Sequence, residues 1–358
     1  MTPYGFLPMV LGLLSPIISK ELRGSGRRVF IVGRICGTIL EEIKREEIDA
    51  NLILEEIVPN DKKLMPTSYW TMMIDDETKT GHLKALAGAQ ERLELWPADL
   101  LSEGSFDAVV HGCEGVFHTA TPVQLVKTDP QVEMIIPAVK GTLNVLKSCA
   151  KSSSVKRVVV TSSSAAVRFR DDIQPYEALD ESKWTSLDVC ETYQLWYAKA
   201  KVLAEQAAWE FARKSNLDLI VVLPSFVIGP VLPPDLCSTA SDVLGLLRGD
   251  NRTFSYHGRM GYVHIDDVAT AHILVFEEPS AEGRYICSSS VLESWELGER
   301  LTVRYCELSI PQEFEKYGDR PIYLLNTSKL EKLGMQFKTV EEMYDDCVSA
   351  FKARGLLP

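Results

Sequence analysis

The sequence predicts an α/β fold: a doubly wound parallel sheet covered by helices, followed by a smaller C-terminal lobe. Short runs rich in β-branched residues alternate with longer helical stretches from about residue 93 onwards. These runs are apolar throughout instead of alternating, which is typical of strands buried on both faces. The length of 358 residues also suggests two units, since a domain takes about 150 residues. The pattern is that of consecutive βαβ units.

The predicted elements follow one another along the chain. The predicted strands cover 28–33, 93–98, 115–120, 158–162 and 219–223, with a further strand-like run at 69–74. The predicted helices cover 38–47, 130–150 and 193–214. Asp129 and Pro130 open the second of these helices, because an acidic N-cap followed by proline at the first helical position is a typical start.

We divide the chain into an N-terminal extension (1–23), a sheet domain (24–224) and a C-terminal lobe (225–358). The segment at about 260–283 is expected to leave the lobe and return to the sheet domain.

The N-terminal apolar run at 6–18 is shorter than the roughly 20 residues that span a bilayer, and Pro8 and Pro16 interrupt it. No Lys or Arg precedes it, so the charged start of a secretory signal is missing. We therefore predict no membrane span and a cytoplasmic protein.

Charge and cysteine usage exclude several classes of function. The chain has 38 basic and 50 acidic residues, a net charge of −12, and no basic cluster, so nucleic acid is not an expected partner. The eight cysteines lie at least 19 residues apart and the histidines are dispersed. Neither a metal site nor a disulfide framework is predicted from such spacing.

Small, polar or turn-forming residues follow four of the predicted strands. These strand ends are Asp99-Leu100, Thr121-Pro122, Ser163-Ser164 and Pro224-Ser225. Each could be ordinary turn chemistry. Together they outline a crevice, because ligands of such sheets bind at the carboxyl ends of the strands.

The sharpest chemical feature is Tyr197 followed four residues later by Lys201 in a predicted helix, so both side chains lie on one face. A lysine ammonium nearby should lower the pKa of the tyrosine and let it protonate a carbonyl oxygen. Ser163, 34 residues before Tyr197, could hold the same oxygen. A Tyr–Lys pair at this spacing is by itself more often structural than catalytic. Here the pair comes after a strand that ends in TSSS and before a strand that ends in Leu-Pro, and this succession favours a catalytic role.

With these motifs in view, the chain resembles the extended short-chain reductases of plants, the dihydroflavonol reductase and cinnamoyl-CoA reductase family. The segments that carry the resemblance are ADL (98–100), GVFHTATPV (115–123), KRVVVTSSSAAV (156–167), WYAKAKVLAEQAAWEF (196–211), VLPSFVIGP (222–230) and YVHIDDVATAH (262–272). The resemblance implies a Rossmann-type fold whose sheet domain binds a dinucleotide and whose C-terminal lobe binds substrate. It implies Ser163, Tyr197 and Lys201 as the catalytic residues.

The same resemblance implies NADP(H) as the cofactor. Lys201 would bond the nicotinamide ribose, and Lys79 would meet the 2′-phosphate. The other implied cofactor-binding residues are Asp99 and Leu100 at the adenine, Thr119, Ala120 and Thr121 along the dinucleotide, and Tyr197, Pro224 and Val227. The expected substrate is a small apolar carbonyl compound.

Within the family, the stronger likeness is to the tetraketide α-pyrone reductases, which act in sporopollenin synthesis for pollen walls. The supporting segments are VRFRDD (167–172), LDESKWTSLDVC (179–190), YQLWYAKAK (193–201) and LPPDLCSTASDVLGLL (232–247). Cinnamoyl-CoA reductases have NWYCYGK around the tyrosine, whereas this chain has QLWYAKA. A polyketide-type carbonyl is therefore the expected substrate, with dihydroflavonol or cinnamoyl-CoA type carbonyls as alternatives.

Residues 1–74 are irregular relative to the family. A TGxxGxxG turn should follow the first strand, but this chain has Gly33 and Gly37, with Arg34 between them and no further glycine before Gly81. The alternative of another class is a catalytically impaired binding or scaffold protein without a working phosphate loop. A sugar-nucleotide epimerase, which shares the Ser-Tyr-Lys set, is a third reading.

Overall fold

The computed structural model describes residues 29–33, 50–55, 77–85, 89–121, 129–231, 235–315 and 322–358. The strands of these ranges are, in chain order, β1 (Val29–Gly33), β2 (Ala50–Glu55), β3 (Leu93–Glu94), β4 (Pro97–Ala98), β5 (Gly115–His118), β6 (Arg157–Thr161), β7 (Glu177–Leu179), β8 (Leu219–Pro224), β9 (Phe226–Ile228), β10 (Arg259–His264), β11 (Gly283–Cys287), β12 (Ser290–Glu293) and β13 (Tyr323–Leu325).

The helices of the same ranges are α1 (Glu77–Lys84), α2 (Ala89–Arg92), α3 (Asp107–Val110), α4 (Ile136–Lys151), α5 (Ala165–Arg168), α6 (Leu187–Thr192), α7 (Trp196–Ser215), α8 (Ser238–Leu247), α9 (Arg252–His257), α10 (Ile265–Glu277), α11 (Ser294–Arg304), α12 (Ser328–Glu331) and α13 (Val340–Ala353). A π-helical turn, Gln131–Ile135, leads directly into α4.

Eight strands form one parallel sheet in the order β11-β8-β6-β5-β1-β2-β3, with β4 also paired to β2. The strand order reverses direction between β1 and β5, which is the switch point where the crevice of a doubly wound sheet opens. The predicted fold class is therefore confirmed.

The central strands are buried on both faces, as their unalternating apolar runs predict. In β6, Val158 and Val160 pack with α4 and α7 on one face, whereas Val159 packs with α10 on the other. Each of these three side chains is at most 5% exposed. Both faces of β6 therefore lie in the hydrophobic core.

A separate core lies in the C-terminal part. Its small sheet has the order β12-β10-β9, and helices α8, α9, α11 and α13 surround it. Its largest fully buried side chains are aromatic, namely Phe254, Tyr262, Tyr344 and Phe351. Thr339 begins α13 with a capping box, in which its hydroxyl accepts from the Glu342 N–H at 3.2 Å.

Helix α10 connects this small sheet to the main one, since it begins directly after β10 and packs against β6 and β8. Arg157, at the start of β6, closes the far end of α10. Its guanidinium donates to the carbonyls of Val275 at 2.9 Å and of Glu278 at 2.7 Å, and it pairs with the Asp218 carboxylate at 2.9 Å. The last carbonyls of the helix are thereby satisfied by the Arg157 guanidinium.

Several local details differ from the sequence-based prediction. The run 93–98 forms two short strands, β3 and β4, both paired with β2. The predicted helix at 193–214 begins later, at Trp196, because Gln194 lies in the left-handed region with φ 54°; the short helix α6, which was not predicted, ends before it at Thr192. Strand β2 was not predicted, and the predicted elements at 38–47 and 69–74, like the N-terminal extension, lie outside the described residues. Among the described helices, none is both long enough and apolar enough to cross a bilayer.

Candidate active site

Ser163 lies just beyond β6, at the carboxyl edge of the sheet. Its hydroxyl accepts from the Ala165 N–H at 3.1 Å and so starts the short helix α5. The next residue, Ser164, donates its N–H to the Pro224 carbonyl at 2.9 Å. This bond holds the ends of β6 and β8 side by side, so the predicted residues Ser163 and Pro224 are neighbours in the structure.

Tyr197 reaches the same edge from the first turn of α7. It is buried, packs among Met134 and Ile135 of the π-helical turn, and its phenol is hydrogen-bonded to the Ser163 hydroxyl. Burial raises the pKa of Tyr197 to about 12, and the bond to Ser163 opposes this rise. The phenol therefore keeps its proton at neutral pH and can donate it.

Lys201 lies one turn further along α7, as the spacing predicts. Its ammonium donates to the Thr121 hydroxyl at 2.7 Å and to the Thr161 carbonyl at 3.2 Å, and it lies 5.9 Å from the centre of the Tyr197 ring. Burial lowers the pKa of Lys201 to about 7, and the charge of Glu205 opposes this effect.

The sequence-based expectation that Lys201 lowers the pKa of Tyr197 is wrong for this structure. The ammonium is directed to Thr121 and Thr161, and desolvation of the phenol is the larger effect, so the pKa of Tyr197 rises instead of falling.

The other predicted cofactor residues lie in the following places. Thr119 and Ala120 are buried directly after β5, and Thr121 follows them. Val227 is buried in β9, and Lys79 lies in α1. The described structure thus brings Thr121, Ser163, Pro224, Tyr197 and Lys201 to one edge.

Asp99 and Leu100 follow β4 at the same side of the sheet. The Asp99 carboxylate accepts from the Leu101 N–H at 2.8 Å, and burial raises its pKa. Leu100 is 1% exposed and its side chain packs in the core beside α4. The Asp99 carboxylate therefore stabilises the turn in which it lies, and the Leu100 side chain packs in the core.

Sequence reasoning missed three polar residues behind this edge. Ser162 donates to Glu205 at 2.7 Å, and Arg284 of β11 donates to the other oxygen of the same carboxylate at 2.6 Å. A signal for Glu205 was present, since it stands four residues after Lys201 and therefore on the same helix face. Arg284 carried no such signal, because its position depends on the strand order.

One further group among the described residues brings together potential metal ligands, His264, Asp266 and Asp346. The Lys338 ammonium already contacts both carboxylates, at 2.8 Å and 3.1 Å. The Nδ1 atom of His264 accepts from the Asp266 N–H at 3.0 Å. We assign this group to ion pairing and to the start of α10.

The geometry supports proton transfer to a polarised oxygen. Two hydroxyl groups meet at the edge of the crevice, with a buried ammonium alongside them. Small residues follow β5 where the strand order reverses, which leaves room for a dinucleotide backbone as in other doubly wound sheets.

Comparison with known proteins identifies the family. Residues 62–287 match the model of the NAD dependent epimerase/dehydratase family. The chain belongs to this family. Tetraketide alpha-pyrone reductase 1 of Arabidopsis thaliana is 56% identical over 282 residues, which cover 79% of this chain and 86% of that protein. Cinnamoyl-CoA reductase CAD2 of Medicago truncatula is 44% identical, with 78% of this chain and 86% of that protein covered.

A third relative, the bifunctional dihydroflavonol 4-reductase/flavanone 4-reductase of Malus domestica, is 40% identical, with 79% of this chain and 82% of that protein covered. Within the epimerase/dehydratase family, the chain is thus an NAD(P)-dependent oxidoreductase of the group that contains these reductases. The predicted family and enzyme class are confirmed.

Solved structures agree with this assignment. Vestitone reductase from alfalfa (Medicago sativa L.) is 29% identical and superposes with a TM-score of 0.69, with 97% of each chain covered. The yeast methylglyoxal/isovaleraldehyde reductase, solved as a complex with NADPH, is 23% identical with a TM-score of 0.70, covering 92% of this chain and 100% of that one. At that identity the second likeness shows the shared fold.

Proposed function

We propose that this protein is an NADPH-dependent reductase of a carbonyl group on a polyketide-type substrate, a tetraketide α-pyrone. The observation that carries the proposal is the Ser163–Tyr197 hydroxyl pair beside Lys201, in a chain that is 56% identical to a tetraketide alpha-pyrone reductase. Identity to the cinnamoyl-CoA and dihydroflavonol reductases is lower, at 44% and 40%.

The chemistry follows from the protonation states of the three residues. Ser163 and Tyr197 hold the substrate oxygen between their hydroxyls, and Tyr197 delivers the proton as that oxygen gains negative charge. NADPH, when bound, supplies the hydride that reaches the carbonyl carbon. Lys201 would hold the nicotinamide ribose in place of its present bond to Thr121. Directed there, its ammonium would also stabilise the tyrosinate that is left, an effect that the ligand-free arrangement does not have.

The cofactor assignment belongs to the same proposal. Thr119, Ala120 and Thr121 would line the dinucleotide, and Asp99 with the backbone of Leu100 would meet the adenine. Pro224 and Val227 would lie on the nicotinamide side. Lys79 would select NADPH by pairing its charge with the 2′-phosphate.

A substrate panel tests the function. The full chain is assayed for NADPH oxidation with a tetraketide α-pyrone, a dihydroflavonol and a cinnamoyl-CoA, and then with NADH in place of NADPH. We expect the highest kcat/KM with the pyrone and with NADPH. A higher kcat/KM with the dihydroflavonol or the cinnamoyl-CoA would show that the proposed substrate is wrong, although the protein would still be a reductase.

The alternative function, a binding or scaffold protein without turnover, is favoured by the unusual Gly33-Arg34-Ile35-Cys36-Gly37 sequence after β1. Calorimetric titration with NADPH separates the two functions. Micromolar binding supports the reductase, whereas no heat with NADPH or NADH supports the alternative.

We extend the proposal to sporopollenin formation, because a reduced tetraketide α-pyrone is a precursor of that pollen-wall polymer in the resembled branch of the family. The test is chemical analysis of pollen walls in plants that lack this protein. A normal wall polymer would contradict this role.

A further inference from the structure

Behind the proposed catalytic residues lies a buried ionic network centred on Glu205. Its side chain is 1% exposed, and Arg284 is 7% exposed. One carboxylate oxygen accepts from the Arg284 guanidinium at 2.6 Å, and the other accepts from the Ser162 hydroxyl at 2.7 Å. The Trp209 indole N–H, one turn further along α7, approaches the carboxylate at 3.4 Å. A buried carboxylate needs such partners, since an unpaired charge in the interior is strongly destabilising.

This network touches both parts of the candidate active site. Ser162 directly precedes Ser163, so a bond to Ser162 fixes the end of β6 that presents the Ser163 hydroxyl. Glu205 stands one helical turn after Lys201, as Lys201 stands one turn after Tyr197. One carboxylate therefore lies behind the serine and beside the lysine.

Arg284 carries the network into a second segment of the chain. Besides Glu205, its guanidinium donates to the carbonyls of Glu181 at 2.8 Å and Lys183 at 2.6 Å. It also lies 3.8 Å from the ring centre of Trp184. The loop before α6 is thus tied to the same buried cation, and through it to Glu205.

We propose that Glu205 is a positioning residue for the reduction: its carboxylate, held by Ser162 and Arg284, fixes the Ser163 strand end and keeps the Lys201 side chain in its ammonium form. This inference rests on the proposed function, since it assigns Glu205 a role behind the three residues that act there. Glu205 touches neither substrate nor cofactor in this role.

The charges around Lys201 support the second part of the proposal. Among the described residues, five groups face its ammonium. They are the Thr121 hydroxyl after β5, the Thr161 carbonyl of β6, the Tyr197 ring and Glu205 of its own helix, and His118 of β5. His118 is buried and its pKa is lowered to about 3, so it is neutral. Glu205 is therefore the charge that opposes desolvation of Lys201, whose pKa is about 7.

The test replaces the charge and keeps the shape, with Glu205→Gln. Protein labelled with ¹³C and ¹⁵N at lysine is titrated by NMR, and the Lys201 signal is assigned with Lys201→Arg. We expect the Lys201 midpoint to fall by about one pH unit, a tenfold change in the ratio of ammonium to amine. The alkaline limb of the kcat profile should move to lower pH with it, and Glu205→Asp, which keeps the charge, should restore most of both.

A matched control lies at the other end of the same two strands. Asp218→Asn removes one carboxylate from the Arg157 ion pair at the start of β6 and β8. It should lower thermal stability without moving the Lys201 midpoint or the kcat profile. A Lys201 midpoint and a pH profile that stay unchanged in folded Glu205→Gln would overturn the proposal.

Glu205→Gln leaves Arg284 without its carboxylate, so a second variant guards against a failure to fold. The double variant Glu205→Gln/Arg284→Gln replaces the ion pair by two amides that can bond each other. A fall in the Lys201 midpoint is expected here too, because among the residues that the structure describes Glu205 supplies the charge that raises the pKa of Lys201. The fall should be smaller than in the single variant, since a positive charge leaves together with the negative one. The lysine titration needs no substrate, so it decides the role of Glu205 separately from the substrate panel that decides the proposed function.

Discussion

At the scale of single residues, the balance of desolvation and charge decides what Tyr197 can do. A phenol with a pKa of about 12 is a weak acid that keeps its proton until a neighbouring oxygen takes on negative charge. Lys201, with a pKa of about 7, is close to its midpoint in the same site. Tyr197 is thus suited to donating a proton, whereas the protonation state of Lys201 changes with small changes in the charges around it.

Tyr197→Phe removes the proton donor and retains the ring that packs on the π-helical turn. We expect kcat to fall by about 100-fold or more, with NADPH affinity and thermal stability close to those of the parent protein. The measurements are NADPH oxidation with the pyrone, calorimetry and thermal unfolding. Tyr285→Phe, the same change at another buried tyrosine in β11, is the control and should keep full activity. Undiminished turnover in Tyr197→Phe would remove Tyr197 from the mechanism.

At the scale of elements, helix α7 shows which parts of a site can be predicted from sequence. The four-residue spacing from Tyr197 to Lys201 already places both side chains on one face, and the TSSS strand end supplies Ser163. Arg284 could not be predicted, because it comes from β11, whose place beside β8 is a matter of strand order. The left-handed conformation of Gln194, which separates α6 from α7, could not be predicted either, because glutamine is not a residue that favours this conformation.

Two helical glycines separate packing from helix propensity. A Cβ at Gly141 in α4 would lie 2.3 Å from the Cγ of Leu100, whereas at Gly245 in α8 the nearest atom is 3.7 Å away. We expect Gly141→Ala to destabilise the protein by about 1–3 kcal/mol and Gly245→Ala to stabilise it by about 0.5–1 kcal/mol. Chemical unfolding measures both. Because Leu100 must shift in the first variant, its KM for NADPH should rise too; equal stability of the two variants would contradict the packing argument.

At the scale of the whole molecule, buried acids and histidines act on stability in opposite directions. Burial lowers the pKa of His272 to about 4 and of His118 to about 3, so stability gained from these neutral rings is lost as pH falls below their ordinary 6.5. Burial raises the pKa of Asp267 to about 7, from 3.8. The folded protein then holds a proton that the unfolded chain releases, so this contribution falls as pH rises between those two values.

Asp267→Asn isolates the effect of Asp267 protonation on stability. The amide oxygen can still accept from the backbone N–H of Lys338, which Asp267 binds at 2.9 Å. At pH 5 only the first part of the window between the two pKa values of Asp267 has been crossed, so the variant should be more stable by about 1–2 kcal/mol. At pH 8 the variant should be more stable by on the order of 2–4 kcal/mol. Thermal unfolding at both pH values measures the difference, and a difference independent of pH would show that Asp267 does not titrate near 7.

The strands of the main sheet could be predicted where apolar runs are followed by polar strand ends, whereas the strands near the N-terminus were harder to predict. The unalternating runs of β5, β6 and β8 predict a sheet buried on both faces, because such runs, separated by helical stretches, are typical of a parallel sheet covered by helices. Strand β2 has the sequence ANLILE, a short run between two charged stretches, so its period gives little information.

The Arg157 side chain that closes α10 has a consequence for local motion. Helix ends usually fray, and their amides exchange with solvent hydrogen faster than those of a sheet. Here the carbonyls of Val275, Phe276 and Glu278 all accept from one guanidinium, that of Arg157. In a hydrogen-exchange experiment the Glu278 amide, which bonds the Leu274 carbonyl at 3.0 Å, should be among the slowest of any helix terminus in the molecule. Asp218→Asn removes the carboxylate that holds the Nε side of that guanidinium, so it should make the same amide exchange faster while the centre of β6 stays protected.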